Sequence, residues 1–494
     1  MQEKLKNLFA LIFVLLSLVG TSCNDVDKPT PQATEVWITM NGELLPEQVY
    51  NIPLKPAKVE WGVAPVRDKD AQLKDIHWYL NGNEVKGTTE TTLEMVPEYS
   101  GTLKVVVKND AGMESEAELA LQGVFREGMF FYGSTNVGVS FYNPTADNFV
   151  APSKGFKNIY TELNDDELGK GGVNDLTFFH NKIYFLLPSS EKGNARVVIA
   201  DAQTLRKIDV VTALDFKTGV LGEIYNLAVV SDDKAYIGHN KSSAGNKAGV
   251  RALDMKSKTL SADIPELSGD LGVNGPAWQR MMVHGDDLLV ICGDKLQVLD
   301  TKTDKLKKSV SINESSLIAD VLRGSDKNLY LLVSGTISNK SNPSWLFMPQ
   351  FSTPAQIVKL DGKSYEVLEK KELKYEKDGK SEDIQLKCGL RANGAVMSPI
   401  SDVIYFIKDA GWVSSEIYTY DCKMGKVDFF ADPLKADGIY GPLSGYMGAD
   451  KKGNVYVAIT DYTRSKIVMF DHAGKFVKTL SVEGDGSVIS TYMN

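Results

Sequence analysis

A repeated turn is the sequence feature that most constrains the fold of this chain. Six segments carry an Asp at the end of an apolar strand, followed by a short turn and a second strand. An Asx side chain accepts hydrogen bonds from amides one or two residues further on, and so fixes a hairpin. Asn143 takes the place of the Asp in a seventh copy. The six aspartates, spaced 46 to 61 residues apart, are Asp201, Asp254, Asp300, Asp361, Asp421 and Asp471.

A second hairpin precedes each of these turns, as in residues 178–187, 229–239 and 283–292. Four short strands repeated about every 50 residues predict a β-propeller, because one blade cannot bury both of its faces alone. We therefore predict an all-β chain with a propeller over residues 125–494. Seven blades is the predicted number, and six or eight blades follow if Asn143 belongs to a shared closing blade.

The first 22 residues read as a secretory signal. Lys4 and Lys6 precede an apolar run from Leu8 to Val19, and small residues follow it. This order is typical of signal peptides, and the apolar run is too short to span a bilayer comfortably. The sequence therefore predicts export from the cytoplasm.

Cys23 follows the small residues Gly20, Thr21 and Ser22 directly. The segment resembles the lipobox of bacterial lipoproteins, which implies cleavage before Cys23 and acylation of its thiol. The alternative is an ordinary secretory signal with an incidental cysteine. Residues 23–34 form a polar, Pro-containing tether, and its aspartates resemble the surface-export signals of Bacteroidetes lipoproteins.

Residues 35–124 alternate short strands with turns rich in Asn, Asp and Gly, which predicts a β-sandwich. The pattern around Trp78 and Tyr99 resembles the immunoglobulin/PKD-like sandwich of cell-surface proteins. Because no cysteine lies between residues 24 and 291, packing around Trp61 and Trp78 must replace a disulfide. We interpret this domain as a spacer, and a ligand-binding sandwich is the alternative.

The propeller repeats look like one family in particular. Residues 226–240, 250–260 and 281–310 resemble the YncE-like seven-bladed propellers. That group includes secreted and lipid-anchored Bacteroidetes proteins, some of which are surface cobalamin-binding partners of TonB-dependent outer-membrane transporters. The resemblance implies the fold, a small-molecule ligand and a transporter as partner, and it bears more strongly on fold than on ligand.

Charge and motifs exclude several functions. The chain has 55 Lys and Arg against 64 Asp and Glu, a net charge of −9, without a basic block that would bind nucleic acid. GxSxG, HExxH, P-loop and CxxC motifs do not occur. We therefore predict no catalytic residue, no metal ligand and no cofactor.

The candidate site follows from propeller geometry. Loops that lead into the inner strands and loops that join second to third strands lie on one face, so functional residues should recur in them. Large aromatic residues beside arginines suit a planar or anionic ligand, by stacking and bidentate contacts. The alternative is that the polar residues cap the inner strands and hold channel water. The predicted ligand-binding residues are Tyr225, Asn226, Trp278, Gln279, Arg280, Asp320, Arg391, Asn393 and Tyr446 before inner strands, with Trp345 and Trp412 in the second set of loops.

These features favour a lipid-anchored protein of the outer membrane, exposed at the cell surface, that captures a corrinoid, siderophore or glycan for an outer-membrane transporter. One alternative is a lactonase-like hydrolase with a calcium ion held in the channel by oxygen ligands such as Asn174, Asn226, Asp320 and Asn393. Another is a structural or adhesion protein without a small ligand. Among the histidines, only His239 lies in a candidate loop of this face.

Overall fold

The computed structural model describes residues 32–67, 69–87, 91–132, 139–150, 159–164, 168, 173–187, 196–212, 224–239, 248–267, 281–342, 349–386, 394–409, 416–437, 443–460, 465–482 and 490–493. The chain divides into two compact units. The first comprises Met1–Gln48, Glu60–Leu93 and Leu103–Glu118, and the second comprises Val49–Val59, Glu94–Thr102 and Leu119–Asn494.

The N-terminal strands form two sheets. The first contains β1 (Val36–Met40), β2 (Glu43–Leu44), β4 (Val59–Pro65) and β7 (Thr92–Met95), in the order β2-β1-β4-β7. The second contains β3 (Val49–Asn51), β5 (Leu73–Leu80), β6 (Asn83–Gly87), β8 (Gly101–Asn109) and β9 (Glu114–Gln122), in the order β3-β9-β8-β5-β6. Trp61 and Trp78 are fully buried, as expected of a sandwich core without a disulfide. Asn81 and Gly82 both have positive φ in the predicted β5–β6 turn.

Seven further sheets follow, and each contains a four-stranded antiparallel blade. Blade one contains β10 (Met129–Tyr132), β11 (Ser140–Asn143), β12 (Asn148–Val150) and β39 (Ser490–Met493). Blade two contains β13 (Asp175–Phe179), β14 (Lys182–Leu187), β15 (Arg196–Asp201) and β16 (Lys207–Thr212). Blade three contains β17 (Ile224–Ser231), β18 (Lys234–His239), β19 (Gly249–Asp254) and β20 (Thr259–Asp263).

The later blades repeat this arrangement. Blade four contains β21 (Met282–His284), β22 (Asp287–Cys292), β23 (Lys295–Asp300) and β24 (Lys305–Ser311). Blade five contains β25 (Ile318–Arg323), β26 (Leu329–Val333), β27 (Gln356–Leu360) and β28 (Val367–Glu372). Blade six contains β31 (Ala395–Met397), β32 (Val403–Ile407), β33 (Ile417–Asp421) and β34 (Lys426–Ala431). Blade seven contains β35 (Leu443–Ala449), β36 (Val455–Thr460), β37 (Ser465–Phe470) and β38 (Phe476–Val482).

Three short helices and one extra hairpin complete the described elements. The helices are α1 (Ile159–Asn164), a 3₁₀ turn (Pro265–Leu267) and α2 (Pro433–Asp437). The hairpin of β29 (Lys374–Lys377) and β30 (Lys380–Asp383) extends blade six, because β29 pairs in parallel with β34. The prediction of an all-β chain with a seven-bladed propeller is confirmed.

The first blade takes its inner strand from a distant part of the chain. The order in this blade is β12-β11-β10-β39, and Phe130 of β10 pairs with Tyr492 of β39. In the other blades the strands follow one another in sequence order from the inner strand outward. The pairing of β10 with β39 therefore closes the ring and covers the inner edge of β10.

The repeated Asx turns have the predicted geometry. Oδ1 of Asp201 accepts hydrogen bonds from the amides of Gln203 and Thr204, both at 2.9 Å. Asn143 does the same with the amides of Thr145 and Ala146, at 2.8 and 2.9 Å. The turn is therefore a local device that needs only an Asp or Asn at one position.

Apolar clusters between neighbouring blades supply the core. The cluster between blades two and three includes Tyr184, Val197, Leu227, Ile237 and Leu253, all buried. Each large apolar side chain buried in this way contributes about 1.5–3 kcal/mol. Within the part of the chain that the structure describes, no helix is long and apolar enough to cross a membrane.

Candidate ligand-binding face

The inner strands of blades two, three and five place a polar residue at the same register position. In each of these blades, the residue that follows the polar residue in sequence is apolar. Its pairing partner in the second strand is the residue directly after a buried Tyr. The polar residues thus lie at equal height near the N-terminal ends of the inner strands. They are Asp175, Asn226 and Asp320.

Asp175 is bound to the blades on both sides of it. Its Oδ2 accepts a hydrogen bond from the amide of Leu227 in blade three at 2.8 Å. Its Oδ1 accepts one from the amide of Leu176 at 2.9 Å, and the Tyr132 hydroxyl of blade one lies 3.5 Å away. Asn174 adds a second link, because its Nδ2 donates to the carbonyl of Ile224 at 2.6 Å.

Asn226 and Asp320 are both buried, with 6% and 7% of their surface exposed. Oδ1 of Asp320 accepts a hydrogen bond from the amide of Val321 at 2.8 Å, as Asp175 does from Leu176. These contacts are the ones that the capping alternative requires, since buried polar groups need partners. Ligand contact by Asn226 and Asp320 stays a prediction.

Tyr446 occupies the equivalent position in blade seven. It precedes Met447 of β35, which pairs with Val457, and Val457 directly follows the buried Tyr456. The strands thus place the backbone of Tyr446 at the height of Asp175. The backbone of Tyr225 lies in β17, but the side chains of both tyrosines are outside the described residues.

The other predicted site residues cannot be placed on this face, because they lie outside the described residues. They are Trp278, Gln279, Arg280, Trp345, Arg391, Asn393 and Trp412, together with the predicted lipidation residue Cys23.

The segment that connects β26 to β27 in blade five, and that contains Trp345, begins and ends as a paired stem. Ile337 and Phe351 form an isolated bridge, and the amide of Ser338 donates to the carbonyl of Gln350 at 2.8 Å. Nζ of Lys340 donates to the carbonyl of Glu314 at 2.6 Å, which ties the stem to the segment before β25. This stem fixes the base of the segment that contains Trp345.

Blade three carries a buried charged cluster on this face. Nε2 of His239 and Nε of Arg251 each lie 2.7 Å from Oδ1 of Asp263, and Nη2 of Arg251 lies 3.4 Å from Oδ2. Burial raises the pKa of Asp263, but the hydrogen bonds from Arg251 and His239 outweigh it and hold the pKa below its ordinary value. The carboxylate is therefore ionised at neutral pH.

Sequence reasoning singled out His239 but missed its two partners. The sequence signal that could have identified Arg251 is a break in the alternation of apolar and polar residues along β19. Arg251 lies on the same side of this strand as the buried Leu253. An apolar residue is expected at that position of a blade.

Blade six carries a second paired cation on the same face. Nζ of Lys408 donates to Glu382 at 2.6 Å and to Glu416 at 3.1 Å, and lies 5.5 Å from the ring centroid of Tyr418. Burial lowers the pKa of Lys408, but the two carboxylates outweigh burial and raise the pKa well above its ordinary value. Lys408 is therefore a permanent cation engaged by its neighbours.

Metal and cavity geometry add little to this face. In the described ranges, no group of three His, Cys, Asp or Glu side chains is arranged to hold a metal ion. A cleft of about 200 Å³, which includes open solvent, is lined by residues such as Leu54, Val124, Thr204 and Arg206. Thr204 lies in the β15–β16 turn, at the opposite end of the blade from Asp175.

Comparison with known proteins bears on the fold. The family described as "Domain of unknown function (DUF5074)" matches residues 123–484. No curated protein matches the chain. The chain is similar in structure to a quinonprotein alcohol dehydrogenase-like protein of Bacteroides thetaiotaomicron VPI-5482, with 17% identity over 92% of this chain and 99% of that one, and a TM-score of 0.51. It also resembles a 6-phosphogluconolactonase-like protein of Bacteroides fragilis NCTC 9343, with 11% identity over 74% and 98% of the two chains and a TM-score of 0.46.

Proposed function

The chain belongs to the DUF5074 family, and from this premise we propose that its propeller is a non-enzymatic binding module that captures a small ligand on the face where the inner strands begin. The observation that carries this proposal is the variation at one register position. Asp175, Asn226, Asp320 and Tyr446 occupy equivalent places, yet they differ in charge, size and aromatic character.

Comparison with the Asx turns shows why this variation matters. The turn position has only a structural role, and all seven copies have an Asp or Asn there. Asp or Asn also occupies the inner-strand position in blades two, three and five, but blade seven has Tyr446 there, so this position is less uniform than the turn position. Different side chains at equal height give the mouth of the channel an asymmetric surface, which suits an asymmetric ligand.

The remaining predicted residues suggest what this ligand is. Trp278 and Trp345 would stack on a planar group, while Arg280 and Arg391 would bind oxygen atoms through bidentate hydrogen bonds. In sequence Arg280 directly precedes Met281, as Asp175 precedes Leu176. Corrinoids, siderophores and glycans all offer such groups.

The proposed location follows from Cys23. A lipid on its thiol would hold the protein on the outer membrane at the cell surface, where a TonB-dependent transporter would accept the captured ligand. Cys23→Ala should move the protein from the membrane fraction to the soluble fraction. Wild-type partitioning of the variant would rule out this anchor.

Native mass spectrometry of the whole chain, released in detergent, against pools of corrinoids, siderophores and glycans tests capture directly. Trp278→Ala and Arg280→Ala should each weaken binding of the retained compound by about tenfold or more, since aromatic and Arg anchors dominate such sites. Arg323→Ala is the matched control, because its guanidinium donates to the carbonyl of Val283 at the opposite end of β25. The proposal would be contradicted if the protein retained no compound, or if all three variants lost the same amount of binding affinity.

A further inference from the structure

The repeated blades serve as internal controls for the charged cluster of blade three. In blade two, Val198 pairs with Phe185 and with Val210, and Leu187 lies two residues after Phe185. In blade three, Arg251 pairs with Ile237 and with Asp263, and His239 lies two residues after Ile237. The equivalents of His239, Arg251 and Asp263 are therefore Leu187, Val198 and Val210, which pack in an apolar cluster.

Blades five and seven also have apolar residues at the positions of His239 and Arg251. The positions of His239 and Arg251 correspond to Val333 and Val358 in blade five. They correspond to Ile459 and Val468 in blade seven. All four of these side chains are buried, so the fold of a blade does not need charge at either position.

Charge at these positions is therefore not explained by packing. A buried ion pair is often no more stabilising than apolar side chains of similar volume, because both charges must leave water. His239 is fully buried, and only 14% of the Arg251 side chain and 25% of the Asp263 side chain are exposed. Among the described blades, the one other charged residue at these positions is Lys408 of blade six, which Glu382 and Glu416 engage. Retention of a His, Arg and Asp cluster in blade three therefore points to a function.

The geometry leaves one end of the guanidinium available. The Asp263 carboxylate accepts hydrogen bonds from the Nε–H of Arg251 and from one N–H of Nη2. Among the described residues, Nη1 and the second N–H of Nη2 have no hydrogen-bond partner. These donors lie in one plane and point the same way, the arrangement that binds two oxygen atoms of a carboxylate or phosphate.

Asp263 and His239 fix this orientation. The ionised carboxylate holds the side of the guanidinium, and His239 holds the same carboxylate oxygen at 2.7 Å. His239 is fully buried at the end of β18, so it also restricts the movement of Asp263. The guanidinium is thus oriented before any ligand arrives.

We propose that Arg251 binds an oxyanion, either a carboxylate or a phosphate group, on the ligand-binding face of blade three, with Asp263 and His239 as positioning residues. None of the residues of the proposed capture site takes part, so this anion site goes beyond that function. Failure of corrinoid, siderophore and glycan capture would leave it standing.

Isothermal titration of the full chain in a non-ionic detergent, at low ionic strength, with inorganic phosphate and separately with succinate tests the site. We expect saturable binding of at least one of the two anions. Arg251→Gln should weaken that binding by about tenfold or more, because a charge-assisted bidentate contact is lost. Arg323→Gln removes the same charge from the opposite end of a blade and should leave binding unchanged.

Two further variants keep the test decisive if Arg251→Gln does not fold. Arg251→Lys retains the positive charge but not the paired N–H donors of the guanidinium, so it should still weaken binding by about tenfold. His239→Gln should weaken anion binding less than Arg251→Lys does. Added phosphate or succinate should raise the Tm of the wild type but not the Tm of Arg251→Lys. No saturable binding to the wild type, unchanged affinity in Arg251→Lys, or equal losses in the Gln variants of Arg251 and Arg323 would overturn the proposal.

Discussion

Oδ2 of Asp175 in blade two accepts a hydrogen bond from the amide of Leu227 in blade three at 2.8 Å. Among the described strands, the inner strands of neighbouring blades do not pair with each other in a sheet, so this side chain supplies a link that backbone pairing does not. The same carboxylate accepts a hydrogen bond from the amide of Leu176 in its own strand. Asp175 thus stabilises the boundary between two blades.

Asp175→Ala should lower the free energy of unfolding by about 1–3 kcal/mol, because the amide of Leu227 would lose its partner. Chemical denaturation of the whole chain measures this loss. Glu376→Ala, at an exposed position of β29, should change stability by less than about 0.5 kcal/mol. Equal stability of the two variants would show that the inter-blade bond contributes nothing.

Two buried tyrosines at equivalent positions should respond differently to loss of the hydroxyl. Tyr456 donates to Oδ2 of the buried Asp450 at 2.8 Å, whereas the Tyr184 hydroxyl has no hydrogen-bond partner among the described residues. Tyr456→Phe should therefore cost about 1–3 kcal/mol, while Tyr184→Phe should be neutral or stabilising. Thermal melts of both variants compare them, and a larger loss from Tyr184→Phe would contradict the assignment.

The Asp326 carboxylate predicts an acid-sensitive contribution to stability. Burial raises the pKa of Asp326, but hydrogen bonds from Lys359, Asn328 and Tyr330 outweigh it and lower the pKa from 3.8 to about 2. Because the folded-state pKa lies below the unfolded value, the contribution is complete above about pH 4 and is lost as pH falls toward 2.

Melting curves of the wild type and Asp326→Asn across this range provide the test. The wild type should be the more stable protein near neutral pH, and the difference in Tm should shrink steadily below about pH 4. A difference that stays constant down to the acid limit would mean that the carboxylate charge is not what stabilises this contact.

Removal of residues 490–494 should open the ring. The deletion takes away β39 and its pairing with β10, and it leaves the inner edge of β10 without a partner. We expect a lower Tm and a broader transition than in the wild type. Deletion of Asn494 alone, which leaves β39 intact, is the control. Matching melts for the two deletions would show that β39 is dispensable.

Local chemistry explains which parts of the fold could be predicted. The Asx turns depend on a few neighbouring residues, so Asp201 and Asn143 identify their hairpins from sequence alone. The pairing of β10 with β39 and the parallel contact of Tyr375 with Val427 join distant segments, and no local pattern encodes them. A shared closing blade was expected only with six or eight blades, yet the blade that contains Asn143 is closed by β39 in a seven-bladed ring.

The candidate site was predictable to a smaller extent. The register places Asn226, Asp320 and Tyr446 at one height. All three lie inside their inner strands, however, and not before them as expected. The link from Asp175 to Leu227 and the partners of His239 were not foreseen, because both depend on side chains that meet across or within blades. Sequence alternation shows which side of a strand a residue occupies, but not which neighbour it will contact.

The closure by β39 also determines the order in which this propeller can fold. Blades two to seven each form from consecutive segments, whereas β10 must wait for a strand that six blades separate from it along the chain. Contacts of such sequence separation form late, because a long loop must be ordered first. Until then, β10 presents an unpaired inner edge, and Met129 and Phe131 lack the side chains of blade seven that they pack against in the closed ring. Ring closure is therefore the step at which productive folding competes with aggregation.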